Sequence, residues 1–242
     1  MKNSMSHLLS KSKYIRGLQC ERALWLDVYQ PRLARYTREQ MRRFDAGRDF
    51  EYSFKSTFPA AIDLSAELGR KVDAYPERTA QLLDANPAAV LFEAGFQYDN
   101  VLVLADVVCQ REDGTLDIYE VKSGSQLSDT YRKDAAVQHY VISHCRRVNS
   151  FSIVHAKKQS ENSEYSDYSD YSDNFDNRFA IVDLTEALAA QTDTVASNIA
   201  AMKDILAHGE PATPTGQHCL EPYACPYQHY CQQGVRQMSL FE

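Results

Sequence analysis

The 242-residue sequence has no stretch of about 18 consecutive apolar residues, which excludes a membrane-spanning helix as its organising element. Its longest apolar run, VLVLADVVC at 101–109, is short and interrupted by Asp106. The opening MKNSMSHLLSKSK lacks the apolar core of a secretory signal, so the expected compartment is the cytoplasm, with no membrane partner. Positive charge is scarce overall: 26 Lys and Arg face 33 Asp and Glu, a formal net charge of −7. A sum of that sign argues, at first, against a nucleic-acid partner. Six cysteines are present but no C-x2-C pair, so the usual zinc-knuckle spacing is missing.

The charge is unevenly placed. Residues 160–177, SENSEYSDYSDYSDNFDN, hold six acids and no base, and the rest of the chain sums to −1. Residues 11–48 carry ten bases against four acids, a net of +6, and eight of the ten are arginine. The guanidinium fork pairs two oxygens at once, so this basic third suits a surface that tracks phosphates, with Lys11, Lys13, Arg16 and Arg48 as candidate contacts. The equally simple reading is a solvated helical face. The YSD repeats lack apolar periodicity and β-branched residues, which predicts a disordered acidic insertion at a hairpin tip.

Periodicity divides one domain, 1–242, into three parts. A helical part spans 1–88, with a helix over 8–29 anchored by Leu18, Leu24, Trp25 and Val28 and capped at Ser10 or Ser12. Thr37 and Gln40 form a capping-box signature for a long helix stopping near Pro59, and 76–86 is a shorter helix. Within 89–184 the period changes to two. AVLFEAGFQY, NVLVLADVVCQ and GTLDIYEVKSG read as a three-strand meander, separated by DN and EDG turns. A helix over 128–147 and strands at FSIVHAKK and RFAIVDL follow. Residues 185–242 hold a closing helix over 185–207 and a cysteine-rich tail. The expected class is α/β, a mixed sheet flanked by helices.

The chemistry concentrates in the meander. Glu120 and Lys122 share one strand face, while Val121 between them points to the core. Asp106 lies in an apolar strand, where a carboxylate is costly unless it is paired or binds a cation. Strand pairing brings Glu93, Asp106 and Glu120 toward one cluster with an ammonium beside it. Crowded carboxylates suit a hard divalent cation, Mg²⁺ or Mn²⁺, which can activate water and stabilise charge on a phosphoryl oxygen. A salt-bridge set on a polar sheet face is the simpler alternative.

The D…E-V-K pattern, preceded by F-E-A-G-F and followed by a helix carrying Gln138, resembles the RecB-like branch of the PD-(D/E)xK nucleases, which have a restriction-endonuclease-like fold. The resemblance implies Asp106, Glu120 and the Val121 carbonyl as metal ligands and Lys122 as the catalytic lysine. It implies Gln138 as a supporting or DNA-contacting residue, with Tyr140 a further contact. Where such nucleases carry G-R-x-x-H, this chain has Gly47, Arg48 and then Glu51, a carboxylate in the place of the histidine ligand. Ala105 stands where proline usually precedes the motif aspartate.

The tail HCLEPYACPYQHYC spaces Cys219, Cys225 and Cys231 as C-x5-C-x5-C, a clustering that packing does not explain. Cys20, near the other terminus, is the candidate fourth thiolate, whereas Cys109 and Cys145 read as buried thiols. Spacing alone does not separate zinc from an iron–sulfur cluster, and His218 and His229 are further possible zinc ligands. One N-terminal cysteine plus a C-terminal trio around a RecB-like core resembles the 4Fe–4S nucleases, including the CRISPR-associated RecB-like exonucleases. LSKSKYIRGLQCERALWL also resembles the start of bacterial proteins with an N-terminal RecB-like nuclease domain. The resemblance implies a structural 4Fe–4S cluster on Cys20, Cys219, Cys225 and Cys231. It also implies an exonuclease on single-stranded or end-bearing DNA, alongside other DNA-processing proteins, in CRISPR adaptation, repair or phage defence. Two rivals stay open: a nucleic-acid-binding module with a decayed centre, and a zinc-stapled adaptor acting through protein contacts.

Overall fold

The computed structural model describes residues 9–157 and 178–238, so the acidic 160–177 segment lies outside the described residues. One seven-stranded mixed sheet organises the chain, with helices packed against it, as the α/β expectation requires. Its centre is the expected meander of β3 (Val90–Tyr98), β4 (Val101–Gln110) and β5 (Leu116–Lys122), all antiparallel. Asp99 and Asn100 join β3 to β4 with φ of 49° and 62°, the backbone a two-residue type I′ turn demands. Helix α6 (Asp129–Cys145) then carries the chain over to β6 (Val148–Ala156), parallel to β5, and β7 (Phe179–Asp183) closes that edge antiparallel to β6.

Two-residue strands complete the sheet. β1 (Leu9–Ser10) runs parallel to the start of β4, and β2 (Ile62–Asp63) runs parallel to β3 at the outer edge. Neither is long enough for alternation to reveal it. Among the described residues, no helix is long and apolar enough to cross a membrane.

The helices differ from the sequence reading at two points. The expected 8–29 helix is two, α1 (Lys11–Gln19) and α2 (Glu21–Tyr29), because Cys20 is extended at φ −165° and ψ 124°. Ser10 caps α1, its side chain accepting from the Lys13 N–H. The 185–207 helix likewise divides into α7 (Thr185–Ala189) and α8 (Thr192–Ala207), interrupted at Ala190 and Gln191. Helix α3 (Arg38–Lys55) begins on the expected capping box of Thr37 and Gln40 and stops before Pro59. The short α4 (Leu64–Leu68) precedes α5 (Tyr75–Ala85).

Two apolar clusters hold the layers together. The larger runs from Leu9 to Leu206 and places Ala135, Val137, Val141 and Ile142 of α6 against the sheet, with α8 behind. The smaller joins Phe54 of α3 to Phe92, Val107, Val121, Val154 and Phe179. Val121 points to this core, as expected, and anchors the strand whose next face carries Glu120 and Lys122. Helix α5 lies so close to β3 that a Cβ on Gly95 would stand 2.4 Å from Tyr75 Cβ and 2.9 Å from its carbonyl carbon. Gly95→Ala is therefore expected to destabilise the protein by about 1–3 kcal/mol, as overpacking does, measurable by urea denaturation.

Candidate metal centre

β4 and β5 pair only as far as Val107 and Tyr119, and beyond that point the strands part. In the opening, Asp106 Oδ2 accepts a hydrogen bond from the Val121 N–H at 2.7 Å, so a side chain replaces a ladder bond. Across β4, the register sets Glu93 opposite Asp106, and Glu93 has φ of 54°. A glutamate in the left-handed region costs on the order of 1–2 kcal/mol. The strained residue breaks the alternation of β3 at the site. Helix α3 supplies Glu51. Glu51, Glu93 and Asp106 each place a ligand oxygen within 4.8 Å of the others.

Such a group repels itself in a poorly solvated setting. Burial first, and the charge of Glu120 second, hold the Asp106 carboxyl well above its ordinary range. Burial also raises Glu93, with Glu51 adding to the effect. Lys55 partly offsets the repulsion, placing Nζ 2.5 Å from Glu51 Oε1 and 2.6 Å from Glu93 Oε1.

Glu120 stands beside the trio and is 1% exposed. Its Oε1 accepts from Lys11 Nζ at 2.8 Å and from Lys122 Nζ at 2.5 Å. Burial disfavours the ionised form of Glu120, yet these two ammoniums outweigh it and hold the group below its ordinary range. Lys122 reaches on to Asp134 Oδ2 at 2.5 Å. Burial works against its charge too, but Glu120 and Asp134 keep it protonated well above the usual lysine range. The other oxygen of Glu120, Oε2, is buried and has no hydrogen-bond partner among the described residues. Gln138, fully buried one turn after Asp134, donates weakly to the Asp134 carbonyl at 3.4 Å and leaves Oε1 without a partner.

These donors fit a hard divalent cation. Glu51, Glu93 and Asp106 offer only carboxylate oxygens, crowded within 4.8 Å, a set that Mg²⁺ or Mn²⁺ satisfies and a soft metal does not; the orphaned Glu120 Oε2 lies outside that trio.

The comparisons with known proteins leave the family open. No family model matches the chain, and no curated protein does. Among solved structures, the crystal structure of SSO0001 is 12% identical, covers 81% of this chain and 78% of its own, and aligns with a TM-score of 0.29. A likeness that slight assigns nothing.

Of the basic residues expected to meet phosphates, only Lys11 joins the carboxylates. Arg16 pairs with Asp27 at 3.4 Å and with Gln19 at 3.2 Å. Lys13 is half-buried, and Arg48 is exposed and tied to Asp45 on its own helix. Tyr140 is buried, its ring set against Tyr98 and His144. Lys55 and Asp134 escaped the sequence reading, although each left a trace. Lys55 lies four residues after Glu51, and Asp134 four before Gln138, the spacing that stacks side chains on one helix face.

The four expected thiols lie in the same region, at the opposite end of α1, near enough to influence one another electrostatically. Cys20 sits in the break between α1 and α2, while Cys219 and Cys231 are buried in the tail, the latter on α9 (Gln228–Met238). Burial raises the Cys231 thiol, and Cys225, Cys20 and Cys219 lie near enough to raise it further. The tail is fastened by Gln19, whose amide donates to the carbonyls of His218 at 2.8 Å and Tyr223 at 2.6 Å. The Arg22–Glu210 pair at 2.6 Å and the bond from the buried Tyr227 hydroxyl to Asp27 add to this. Among the described residues, no three of these sulfurs all lie within 4.8 Å of one another. A tetrahedral zinc requires sulfurs about 3.8 Å apart. Cys109 and Cys145 stay outside the group, and neither is the buried thiol expected: Cys109 is half-buried, which pushes its thiol up to about 11, and Cys145, at the end of α6, is exposed and bonds to the Gln97 carbonyl.

Proposed function

We propose that this chain is a divalent-metal-dependent deoxyribonuclease of the PD-(D/E)xK type, RecB-like, with a structural 4Fe–4S cluster on Cys20, Cys219, Cys225 and Cys231. The observation that carries the reading is the convergence of Glu51, Glu93 and Asp106 where β4 and β5 part, beside Glu120 and Lys122. A bound divalent cation supplies Lewis acidity toward a phosphoryl oxygen and makes a neighbouring water more acidic. Asp106 orients the Val121 peptide through its N–H. Lys122, held charged by Glu120 and Asp134, offsets negative charge on the phosphate and orients the attacking water.

Two adjoining cavities lie on the Lys122 side of the site. A cavity of about 410 Å³ is lined by Lys11, Lys122 and Asp134 and shares Arg16, Tyr36 and Tyr223 with a neighbouring cavity of about 800 Å³. Aromatic rings for bases and guanidiniums for phosphates suit a single strand or a frayed end. The nearness of Cys20, Cys219 and Cys225 to Cys231 supports a group shared by both ends of the chain.

One observation favours a second reading. Lys55 already bridges Glu51 and Glu93, as in a nucleic-acid-binding module that does not cleave. End-labelled single- and double-stranded DNAs and RNAs with Mg²⁺ or Mn²⁺ separate the two. DNA cleavage is expected for the wild type, reduced by about 10²–10³ in Lys122→Ala, with an unchanged circular dichroism spectrum. DNA binding without cleavage supports the silent module, and undiminished cleavage by Lys122→Ala defeats the nuclease assignment.

A further inference from the structure

Three exposed aromatic side chains from separate segments gather on the Lys122 side of the site. Tyr36 precedes α3, Phe44 lies on α3 and Tyr223 belongs to the cysteine-rich tail, and they are 47%, 49% and 45% exposed. One exposed ring is ordinary, but three converging on one opening are a costly face to leave to water. With the half-buried Tyr131 of α6 and Arg16 of α1, they line both the cavity of about 410 Å³ and that of about 800 Å³, and so form the neck between the two. The rings are held in place. Tyr36 meets Phe44 edge to face at 5.9 Å, and Tyr223 shares a hydrogen bond with Thr130 while its carbonyl accepts from the Gln19 amide at 2.6 Å. Tyr131 joins the neck to the catalytic side, because Lys122 Nζ lies 5.7 Å from its ring centroid. Charge chooses the occupant. Lys11, Arg16, Arg43 and Lys122 line the two cavities against Glu39 and Asp134, a formal +2 in a chain of −7.

We propose that this neck binds one unpaired nucleobase of a DNA strand, stacked among Tyr36, Phe44 and Tyr223, next to the phosphate that Lys122 meets. The site rests on the nuclease reading above for the strand at Lys122. Stacking needs an open π-face, which a base offers once it leaves its pair and not within a duplex. The neck therefore selects a single strand or a frayed end through its bases, whereas the lysines and arginines act on phosphates alone. Tyr36, Phe44 and Tyr223 lie outside the carboxylate centre, so they bind ground state and transition state alike, and their loss raises KM and spares kcat.

Fluorescence anisotropy of end-labelled oligonucleotides with the full chain, in chelator and again in Ca²⁺, tests this directly. The probes are oligothymidylate, its duplex with oligodeoxyadenylate, and an abasic strand of equal length that keeps every phosphate. Wild type should bind oligothymidylate about tenfold tighter than the abasic strand or the duplex. Phe44→Leu and Tyr36→Ala should each lose about tenfold on oligothymidylate and nothing on the abasic strand, with an unchanged Tm, and Phe44→Trp should keep wild-type binding. In Mn²⁺ the first two should raise KM and leave kcat nearly unchanged. Equal binding of oligothymidylate and either other probe by wild type overturns the base site. So do variants that bind like wild type, or that lose equally on both strands; cleavage by wild type then leaves the nuclease reading standing. Tight binding of oligothymidylate that the variants lose, with no cleavage in Mg²⁺ or Mn²⁺, supports the base site and overturns the nuclease reading. No binding by wild type overturns the base site, and no cleavage besides overturns both.

Discussion

Asp106→Asn should abolish Mn²⁺-dependent cleavage, by about 10²–10³ or more, and yet yield a more stable metal-free protein. The side chain is 8% exposed, and burial together with Glu120 disfavours its charge. Asparagine keeps an oxygen to accept the Val121 N–H and carries no charge. The sign with pH follows from proton counting. The unfolded chain ionises Asp106 near about pH 4, and the folded chain only at higher pH. Between those points the native state holds more protons, so wild type loses stability as pH rises through that window. Asn does not titrate. With chelator present, the variant should match wild type on the acid side and exceed it by about 1–2 kcal/mol near neutrality. Mn²⁺ should reverse the ranking, raising the Tm of wild type but not of the variant. Equal stabilisation of both by Mn²⁺ would show that Asp106 is no ligand.

Removing one thiolate should have the other large effect. Cys219→Ser is expected to lose the bound inorganic group and about 5 kcal/mol of stability. An inorganic group shared by Cys20 and Cys219 would close a loop longer than 100 residues, and the chain-entropy model assigns about that much to such a cross-link. Anaerobically purified wild type should be brown and contain iron and labile sulfide, and Cys219→Ser should be colourless. Cys109→Ser, on β4 and outside the thiol group, should keep the colour. Zinc alone in the wild type would leave the tie between the termini but contradict the cluster. Because α1 joins Cys20 at one end to Lys11 at the other, loss of the tail should also loosen Glu120.

Local chemistry made much of this architecture legible. The capping box at Thr37, the DN turn, the alternation in the meander and the buried face of α6 each depend on residues within one or two turns. So does the placing of Glu120 and Lys122 on one face, which period two alone dictates. Asp106 was conspicuous because a carboxylate interrupting VLVLAVVC-type apolar character demands a partner. Grouping three cysteines in the tail was a matter of spacing, and Cys20 was the remaining candidate near the other end.

Contacts between distant segments could not be read that way. The helix expected over 8–29 broke at Cys20, because an extended backbone there lets α1 point at the sheet and α2 pack under Tyr227. Lys11 looked like one base among ten in a phosphate-tracking stretch, and the fold set it on a buried carboxylate 109 residues away. Tyr140 looked available to DNA, and packing of α6 against β3 buried it.

By itself, then, the sequence determined the elements and the residue types: an α/β chain, an acidic strand pair with a lysine, and cysteines at both ends. Those follow from periodicity, capping and the cost of burying charge, all of which act locally. Tertiary structure alone decided that β4 and β5 part at Val107, that Glu51 and Glu93 rather than Glu120 share Asp106, and which ammonium sits on which carboxylate. The reason is physical: electrostatic partners are chosen by distance in space, within a few ångströms, and sequence separation does not constrain that distance.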